Sequence, residues 1–338
     1  MKKVFGMMTN QKIKIGIAGF GRIVEFVHLS LIKAVAEFEV DGIYDVTGKR
    51  CQIAANQGYK IYQSYEELLA GESDLVLIAT PPNFHYEMAK AALNHRKNVL
   101  VEKPISLRYE EAEDIINVAK SVHKTIQVFY NRRFNPDYRF VCETIRSEVL
   151  GPILFVERHQ HSQDAGISFG VKSFDPEWRV KSQYGGGALL DWGIHLIDQL
   201  NCLNLGNLNK INSFMYQLPR ALGETEDYVQ ANLELDNHIL LSFEVNFRSN
   251  AQLPLWVVGG EKQTLMINAK YEALRFEKGK VIENYVLEKE SRKNGLEIYQ
   301  SFVGVLTNNE PPVVQADEIL ADMKVLEEIK TGSRFSSK

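Results

Sequence analysis

The sequence predicts an α/β protein with a doubly wound parallel sheet in its N-terminal domain. It also predicts an α+β C-terminal domain with a large, mostly antiparallel open sheet. The 338 residues exceed what a single core usually organises, which favours two domains. The first third alternates short apolar runs with amphipathic stretches, as βαβ units do. After residue 131, strand-like runs follow one another with only turns between them. We therefore predict domains at 1–131 and 132–338.

The predicted strands of the N-terminal domain are unbroken apolar runs, as expected for strands that are buried on both faces of a sheet. They are Lys12–Ala18, Glu39–Tyr44, Asp74–Thr80, Asn98–Glu102 and Ile126–Tyr130. Helical patterns separate them at Ile23–Phe38, Tyr65–Ala70, Tyr86–Asn94 and Tyr109–Val122. This alternation predicts that the strands are parallel.

Seven strand-like runs are predicted in the C-terminal domain, with Asp236-Asn237 as the turn of one hairpin. They are Ile153–Gln160, Lys210–Leu218, Tyr228–Leu235, His238–Phe247, Trp256–Gly260, Gln263–Ile267 and Val281–Leu287. Helices are predicted at Asp137–Glu148, Leu189–Leu203, Gly295–Val305 and Ala316–Lys330. Because few helices cover many strands, one sheet face is expected to need a second subunit.

Composition and charge exclude several classes of partner. Lys and Arg number 39 against 43 Asp and Glu, so no basic excess attracts nucleic acid. The start of the chain lacks the apolar core of a signal peptide, and no apolar run approaches the ~20 residues of a membrane span. Cys51, Cys142 and Cys202 are scattered without a CxxC pair, which fits a reducing compartment and argues against a zinc site. We expect a cytoplasmic protein that binds no metal, membrane or nucleic acid.

A glycine-containing turn, Gly19-Phe20-Gly21-Arg22-Ile23-Val24, directly follows the first strand and begins the first helix. The first glycine permits a tight turn, and the second lets a pyrophosphate approach the amides at the helix start. The third small position holds Val24 instead, which weakens the match. A turn of this kind alone also fits an ordinary connection from strand to helix, so the motif needs a second observation.

Asp45 supplies that observation, because it ends the second strand about twenty residues past the motif, where an acid binds the ribose of a dinucleotide. The pair predicts a Rossmann domain. A carboxylate repels a 2′-phosphate, so NAD is favoured, although Lys49 and Arg50 leave NADP open. The alternative is a solvated aspartate in a turn.

Three further motifs complete a pattern: Ala79–His85 (ATPPNFH), Glu102-Lys103-Pro104, and Gly185–His195 (GGGALLDWGIH). In this order and spacing they resemble the glucose–fructose oxidoreductase, inositol dehydrogenase and rhizopine catabolism family, called Gfo/Idh/MocA. The resemblance covers nearly the whole chain and includes Tyr130–Phe134 and Trp178-Arg179. It implies an NAD(P)-binding Rossmann domain and a domain that holds a sugar or cyclitol. A homo-oligomer, a dimer or tetramer, is expected.

The resemblance also implies roles for individual residues. The catalytic residues it implies are Lys103, Asp191 and His195. The cofactor contacts expected are Gly19, Phe20, Gly21, Arg22, Ile23, Asp45, Thr80, Pro81, Pro82, Asn83, His85, Glu102, Lys103, Asn131, Trp178 and Arg179. The substrate contacts expected are Lys103, Arg132, His159, Trp192 and His195.

The residues support alcohol oxidation even when the family resemblance is left aside. Oxidation of a secondary alcohol needs a hydride acceptor, a base and positive charge near the developing alkoxide. Asp191 and His195 are four residues apart, so on a helix the carboxylate would orient the imidazole, which makes His195 the expected base. Lys103 ends a strand at the ligand-binding edge of the sheet and would hold the substrate oxygen. Behind them, the triple glycine is expected to let backbone approach a ligand.

Other interpretations stay open. The chain could be a catalytically silent dinucleotide sensor, or an NAD-dependent glycoside hydrolase of the same family. Tyr86 and Lys90 have the YxxxK spacing of short-chain dehydrogenases, but they fall on a helix of the nucleotide half and are interpreted as structural. His159 and His161 share one face of a strand and are expected to line the substrate cleft or its rim rather than bind a metal.

Overall fold

Five parallel strands form the sheet of the N-terminal half, as predicted. The computed structural model describes residues 12–219, 221–289, 291, 293–332 and 334–336. The strands are β1 (Ile13–Ala18), β2 (Phe38–Tyr44), β3 (Leu75–Ile78), β4 (Asn98–Val101) and β5 (Ile126–Val128). Their order in the sheet is β2-β1-β3-β4-β5. Every residue of β3, β4 and β5 is buried, which explains their unbroken apolar sequences.

The helices around this sheet are α1 (Leu29–Ala34), α2 (Gly48–Asn56), α3 (Tyr65–Ala70), α4 (His85–Asn94) and α5 (Tyr109–Ser121). The predicted helix Ile23–Phe38 is shorter than expected. It starts as a π-helical turn, Val24–His28, and stops at Ala34 because Val35 is already extended. Helix α2 was not predicted from the sequence. Only Arg50 and Ala54 are buried in it, so no apolar stripe marks it.

Within the described residues, nine strands form the second sheet, against seven predicted. They are β6 (Ile153–His161), β7 (Leu208–Tyr216), β8 (Tyr228–Leu235), β9 (Leu240–Asn246), β10 (Trp256–Gly260), β11 (Thr264–Ile267), β12 (Glu272–Glu277), β13 (Lys280–Val286) and β14 (Arg334–Ser336). Their order is β13-β12-β11-β10-β6-β9-β8-β7-β14. The pairs β6–β9 and β7–β14 are parallel, and the other pairs are antiparallel.

The two missed strands lacked a clear apolar pattern. β12 joins β13 through Lys278-Gly279, where both residues have positive φ, the geometry of a tight hairpin turn. A Lys-Gly pair between strand-like runs was the signal available for it. β14 has three residues and pairs only with β7, so it was too short to stand out.

The helices of the C-terminal half are α6 (Pro136–Arg146), α7 (Ile194–Asn201), α8 (Leu296–Asn308) and α9 (Ala316–Gly332). The predicted helix Leu189–Leu203 starts as a second π-helical turn, Leu189–Gly193, before α7. Both α8 and α9 return to the N-terminal half, where α8 packs on α1, and α9 packs on α5 and β5. The domain boundary at residue 131 stays a prediction. Among the described helices, none is long and apolar enough to cross a membrane.

The two faces of the second sheet differ in burial. Phe243 of β9 is 1% exposed and belongs to the face on which α7 and α9 pack. The opposite face is half-exposed and carries Phe214 and Tyr216 of β7, whose rings stack 6.3 Å apart. This face is the open one that the sequence predicted.

Candidate active site

A cleft of about 750 Å³ lies at the carboxyl ends of the strands of the first sheet, where the C-terminal half closes over them. Its walls include Gly19 after β1, Thr80 after β3 and Lys103 after β4. In the sheet, β2 lies on one side of β1, and the chain then crosses over to place β3 on the other side of β1. Such a reversal of strand order is where open α/β sheets bind ligands.

Most of the predicted site residues line this cleft. They are Gly19, Gly21, Arg22, Ile23, Asp45, Thr80, Pro81, Pro82, Glu102, Lys103, Asn131, Arg132, Trp178, Arg179, Asp191, Trp192 and His195. Residues from both halves of the chain therefore meet in one space. Four predicted contacts, Phe20, Asn83, His85 and His159, do not line it.

Three of these four have structural contacts that explain their positions. The Phe20 side chain is fully buried, and its amide donates a hydrogen bond to Asp45 Oδ2 (2.7 Å). The ring nitrogens of His85 lie 2.7 and 2.9 Å from the carbonyl oxygens of Pro104 and Thr80, so His85 ties together two loops of the cleft from behind. His159 Nδ1 lies 2.8 Å from the Pro254 carbonyl, on the open face of the second sheet. The structure does not bring His159 to the cleft, because the strand alternation places it on the face of the sheet opposite Phe243.

The glycine turn fits a dinucleotide pyrophosphate. Gly19 has a φ of 91°, and a Cβ there would lie 2.6 Å from the Ala79 carbonyl oxygen, so only glycine allows this turn. Around the Cβ position of Gly21 there is no heavy atom within 4 Å, which leaves space on the cleft side. Val24, at the third motif position, is fully buried inside the wider π-helical turn.

Asp45 lies half-buried on the cleft wall. Its Oδ1 accepts hydrogen bonds from the Thr47 amide (2.8 Å) and the Thr47 hydroxyl (2.7 Å). Arg50, the cation that left NADP open, donates to Glu25 Oε2 (2.8 Å) and to the Phe20 carbonyl. Lys49 is exposed and does not line the cleft.

Lys103 and Asp191 form a largely buried ion pair at the other end of the cleft. Lys103 Nζ donates to Asp191 Oδ1 (2.7 Å) and to the Asp191 carbonyl oxygen. Arg179 Nε lies 3.7 Å from Asp191 Oδ2. Burial alone would raise the pKa of Asp191, but the charges of Lys103 and Arg179 outweigh it and lower that pKa. Asp191 is therefore a carboxylate that neutralises its cationic neighbours.

His195 stands apart from this pair. It is 5% exposed, and its ring lies edge-on to Trp192 at 5.9 Å between ring centroids. Burial and the positive charges of Lys103 and Arg132 hold the pKa of His195 well below the usual histidine range. Its Nδ1 has no hydrogen-bond partner among the residues that the structure describes. The imidazole is thus neutral at pH 7.

The predicted hydrogen bond between Asp191 and His195 is absent from the described part of the chain. The spacing argument assumed a regular helix, whereas Asp191 lies in the π-helical turn that precedes α7. The carboxylate binds the ammonium of Lys103 instead, because a charge-assisted bond is stronger than one to a neutral imidazole. The expectation that Asp191 stabilises a charged His195 was therefore wrong.

The triple glycine does not present its backbone to the cleft. Gly187 has a φ of 115°, and a Cβ there would lie 2.5 Å from the carboxyl of Glu226. Glu226 Oε1 accepts a hydrogen bond from the Leu189 amide (2.9 Å), and its main-chain carbonyl accepts one from the Ala188 amide (3.0 Å). The glycine makes room for an acid that caps the turn bearing Asp191, rather than for a ligand. Nothing in the sequence marked Glu226.

Aromatic residues of the segment 166–179 form a wall that the sequence motifs did not reveal. Phe169, Phe174 and Trp178 line the cleft, and the Arg179 guanidinium lies 4.3 Å from the centroid of the Trp178 ring. Arg132 lies in the same way over Trp192, at 4.6 Å. Flat rings beside hydrogen-bond donors suit a ligand with apolar faces and polar edges. Within the described ranges, no three His, Cys, Asp or Glu side chains are grouped to hold a metal ion.

The fold and the cleft together define a protein with a Rossmann-type α/β half and a second half built on a large, mostly antiparallel sheet. The Gfo/Idh/MocA oxidoreductase model with an NAD-binding Rossmann fold matches residues 13–130. The Gfo/Idh/MocA C-terminal domain model matches residues 138–266. The chain belongs to this family.

Similar proteins extend the comparison. An uncharacterized oxidoreductase of Schizosaccharomyces pombe is 33% identical over 192 residues, 55% of this chain and 50% of that protein. The D-glucoside 3-dehydrogenase of Escherichia coli is 26% identical over 264 residues, 72% of each chain. A solved NAD-binding protein from Listeria innocua has a TM-score of 0.83 and 31% identity, with 95% of each chain covered. The match to the first of these relatives spans about half of its length.

Proposed function

We propose that this protein is an NAD-dependent dehydrogenase or reductase that acts on a secondary alcohol or ketone of a sugar, cyclitol or related polyol. The observation that carries the proposal is the meeting of three side chains, Lys103, Asp191 and His195, in the cleft that also contains the glycine turn. When bound, the nicotinamide accepts or returns the hydride. The other requirements of the reaction fall to the chain itself.

Lys103 and His195 divide those requirements between them. An ammonium has three N–H donors, and Lys103 uses two of them for the Asp191 side chain and carbonyl. The third is left for a substrate oxygen, whose developing negative charge it stabilises. His195 takes the hydroxyl proton, because burial and positive charge keep its imidazole neutral. Asp191 holds Lys103 in place and offsets its charge.

The cofactor is NAD rather than NADP in this proposal. Each carboxylate oxygen has two acceptor positions, and Oδ2 of Asp45 uses one for the Phe20 amide, which leaves capacity for a ribose hydroxyl. Arg50 is committed to Glu25 and to the Phe20 carbonyl, so it is not placed to receive a 2′-phosphate. The glycine turn, the free acceptor capacity of Asp45 and the internal hydrogen bonds of Arg50 together support NAD as the cofactor.

The substrate class rests on the cleft and on one relative. The aromatic wall and the donors of Lys103 and Arg179 suit a polyhydroxylated ring. The relative named D-glucoside 3-dehydrogenase supports a sugar substrate. The largely buried Lys103–Asp191 pair argues against the silent sensor, since it is a costly arrangement for a protein without chemistry. The dehydrogenase and the hydrolase differ in net turnover of nicotinamide, which the screen below measures.

A second copy of the chain is proposed to cover the open face of the second sheet. Phe214 and Tyr216 are 46% and 37% exposed there. Adjacent exposed aromatics on a wide sheet are typical of an association surface. Of the apolar run Ile239–Phe243, Leu241 and Phe243 face the core, and Leu240 is 55% exposed. A homodimer through this face is the simplest arrangement that buries these side chains.

The test is a screen of sugars, inositols and their keto derivatives for a change in reduced-nicotinamide absorbance, with NAD and NADP in separate reactions. We expect turnover with at least one of these compounds and a preference for NAD. Cleavage of a glycoside without net change in nicotinamide would favour the hydrolase. Tight NAD binding without either reaction across the screen would favour the sensor.

A further inference from the structure

A completely buried histidine, His28, lies behind the catalytic end of the cleft and has no part in the mechanism above. It ends the first π-helical turn and is 0% exposed. Its Nε2 lies 2.9 Å from Glu102 Oε1, and its Nδ1 lies 2.8 Å from the Tyr299 hydroxyl. Glu102 lines the cleft and directly precedes Lys103. His28 therefore touches the catalytic segment from inside the core.

The direction of the hydrogen bond between His28 and Glu102 follows from the charge on Glu102. Burial alone would raise the pKa of Glu102, but the hydrogen bond from His28 and the charges of His28 and Lys103 lower it overall. An ionised carboxylate can only accept, so Nε2 of His28 carries the hydrogen that Glu102 receives. Nδ1 and the Tyr299 hydroxyl share the second hydrogen bond, in which the hydroxyl oxygen can donate or accept.

Adjacent residues at the end of β4 are thereby separated into two pairs. Glu102 is paired with His28 on the core side, and Lys103 is paired with Asp191 on the cleft side. Without His28, the largely buried Glu102 carboxylate would keep only the longer hydrogen bond from the Lys103 amide (3.2 Å), and a carboxylate short of donors takes up a proton or turns to the nearest cation. The nearest cation is the neighbouring ammonium, whose charge already acts on Glu102.

We propose that His28 is a positioning residue that keeps the Glu102 carboxylate away from Lys103, so that the ammonium stays free for Asp191 and the substrate. The role of Lys103 rests on the proposed function, whereas the effect on Glu102 does not. The titratable groups around Glu102 are His28 from the π-helical turn, Lys103 beside it, His85 from α4 and Tyr299 from α8. His85 holds two loop carbonyls and offers no alternative donor.

Two amide variants separate positioning from simple packing. In His28→Gln the amide nitrogen reaches the place of Nε2 and can still donate to Glu102. In His28→Asn the amide reaches only the place of Nδ1, which keeps the Tyr299 contact and removes the donor to Glu102. Both variants are polar and similar in size, so a difference between them reports the bond to Glu102. His238→Asn, at an exposed histidine, is the matched control.

The first measurement is thermal unfolding of the ligand-free variants from about pH 5 to about pH 8. In His28→Asn, the pKa of the buried Glu102 should rise above its unfolded value, and stability held by such a group is lost as pH rises. The loss in Tm relative to the unmodified protein should therefore grow with pH. It should not grow in His28→Gln, in His238→Asn, or in the double variant His28→Asn/Glu102→Gln. The proposal would be overturned if His28→Asn and His28→Gln behaved equally. It would also be overturned if the loss in Tm still grew with pH in the double variant His28→Asn/Glu102→Gln.

The second measurement is kcat/KM against pH with whichever substrate the screen identifies. His28→Asn should lose at least about tenfold and gain an additional ionisation that Glu102→Gln removes, while His28→Gln should stay within about threefold of the unmodified protein. Loss of rate without the additional ionisation would contradict the role of His28. If no substrate is found, the proposed function fails, but the unfolding series still decides whether His28 controls Glu102.

Discussion

Lys103 reaches Asp191 through two hydrogen bonds, and His195 lies nearby with a neutral ring. Charge and proton transfer are therefore assigned to different side chains. Replacement of each residue should change a different kinetic parameter, which makes the assignment testable.

Replacement of His195 by Ala should lower turnover by roughly two to four orders of magnitude, because it removes the proton acceptor. NAD affinity, measured by calorimetry, should stay unchanged. In the unmodified protein, the low pKa of His195 should keep the base active at more acidic pH than an ordinary histidine allows. A His195→Ala protein with normal turnover would transfer the role of base to Lys103.

Replacement of Asp191 by Asn should lower kcat/KM by roughly ten- to a hundredfold, because Lys103 loses a charge-assisted hydrogen bond. The acid limb of the pH profile should stay in place, since Asp191 does not contact His195. Asp191→Glu, which keeps the charge, is the matched comparison. A shift of the acid limb in Asp191→Asn would restore the paired arrangement expected from the sequence.

Replacement of Asp45 by Ala should narrow the preference for NAD over NADP, because the ribose loses an acceptor and a 2′-phosphate loses a repelling charge. Calorimetric Kd values for both cofactors measure the ratio. Glu39→Ala removes an exposed carboxylate from the same strand outside the cleft and should leave the ratio as it is. Tighter binding of NADP by the unmodified protein would reject the assignment.

At the scale of residues, the sequence motifs predicted where the site lies, but they did not predict which side chains contact each other there. Lys103, Asp191 and His195 line one cleft, as spacing and resemblance implied. The partner of Asp191 could not be found from spacing, because Lys103 is 88 residues away in the chain. Likewise, the acid beside Gly187 comes from the segment before β8, and no local pattern connects the two.

At the scale of elements, two π-helical turns occupy the functional positions of the fold. One follows the glycine turn and ends at His28, and the other carries Asp191 and leads into α7. Such turns are less stable than regular helix and are frequent at functional sites. The second is capped by Glu226, so that acid stabilises the turn that bears Asp191.

Glu226→Gln should flatten the pH dependence of stability. Burial raises the pKa of Glu226 to about 7, above its unfolded value, so its contribution is full in acid and is lost as pH rises towards 7. The free energy of unfolding should fall by on the order of 3 kcal/mol between about pH 4 and pH 8 from this group. Denaturant unfolding should show that decline reduced in Glu226→Gln. It should persist in Glu261→Gln, which alters an exposed acid.

Element types were predictable where burial imposes a period. The five strands of the first sheet and most strands of the second were predictable from their apolar runs. The ends of the elements were not predictable. Val35, for example, leaves the helical conformation within an apolar stretch. α2 and β14 were missed since the first buries few side chains and the second has three residues.

At the scale of the whole molecule, the open face of the second sheet should determine the oligomeric state. Light scattering at micromolar concentration should give at least twice the 38.5 kDa mass of the chain. Tyr216→Glu places a charge among the exposed aromatics and should yield monomers, whereas Val313→Glu, between α8 and α9, should not. A monomeric mass for the unmodified protein would contradict the proposed dimer.

The return of α8 and α9 to the N-terminal half affects how the protein is made. Residues that receive α9, on α5 and β5, leave the ribosome about two hundred residues before α9 does. At roughly 5–20 residues per second, their apolar surfaces wait on the order of ten to forty seconds for cover. Val314, whose amide donates to Gln127 Oε1 (3.2 Å), is among the last residues to arrive. The half synthesised first is thus completed last, and a nascent chain that stalls before residue 296 would hold a dinucleotide fold without its final layer.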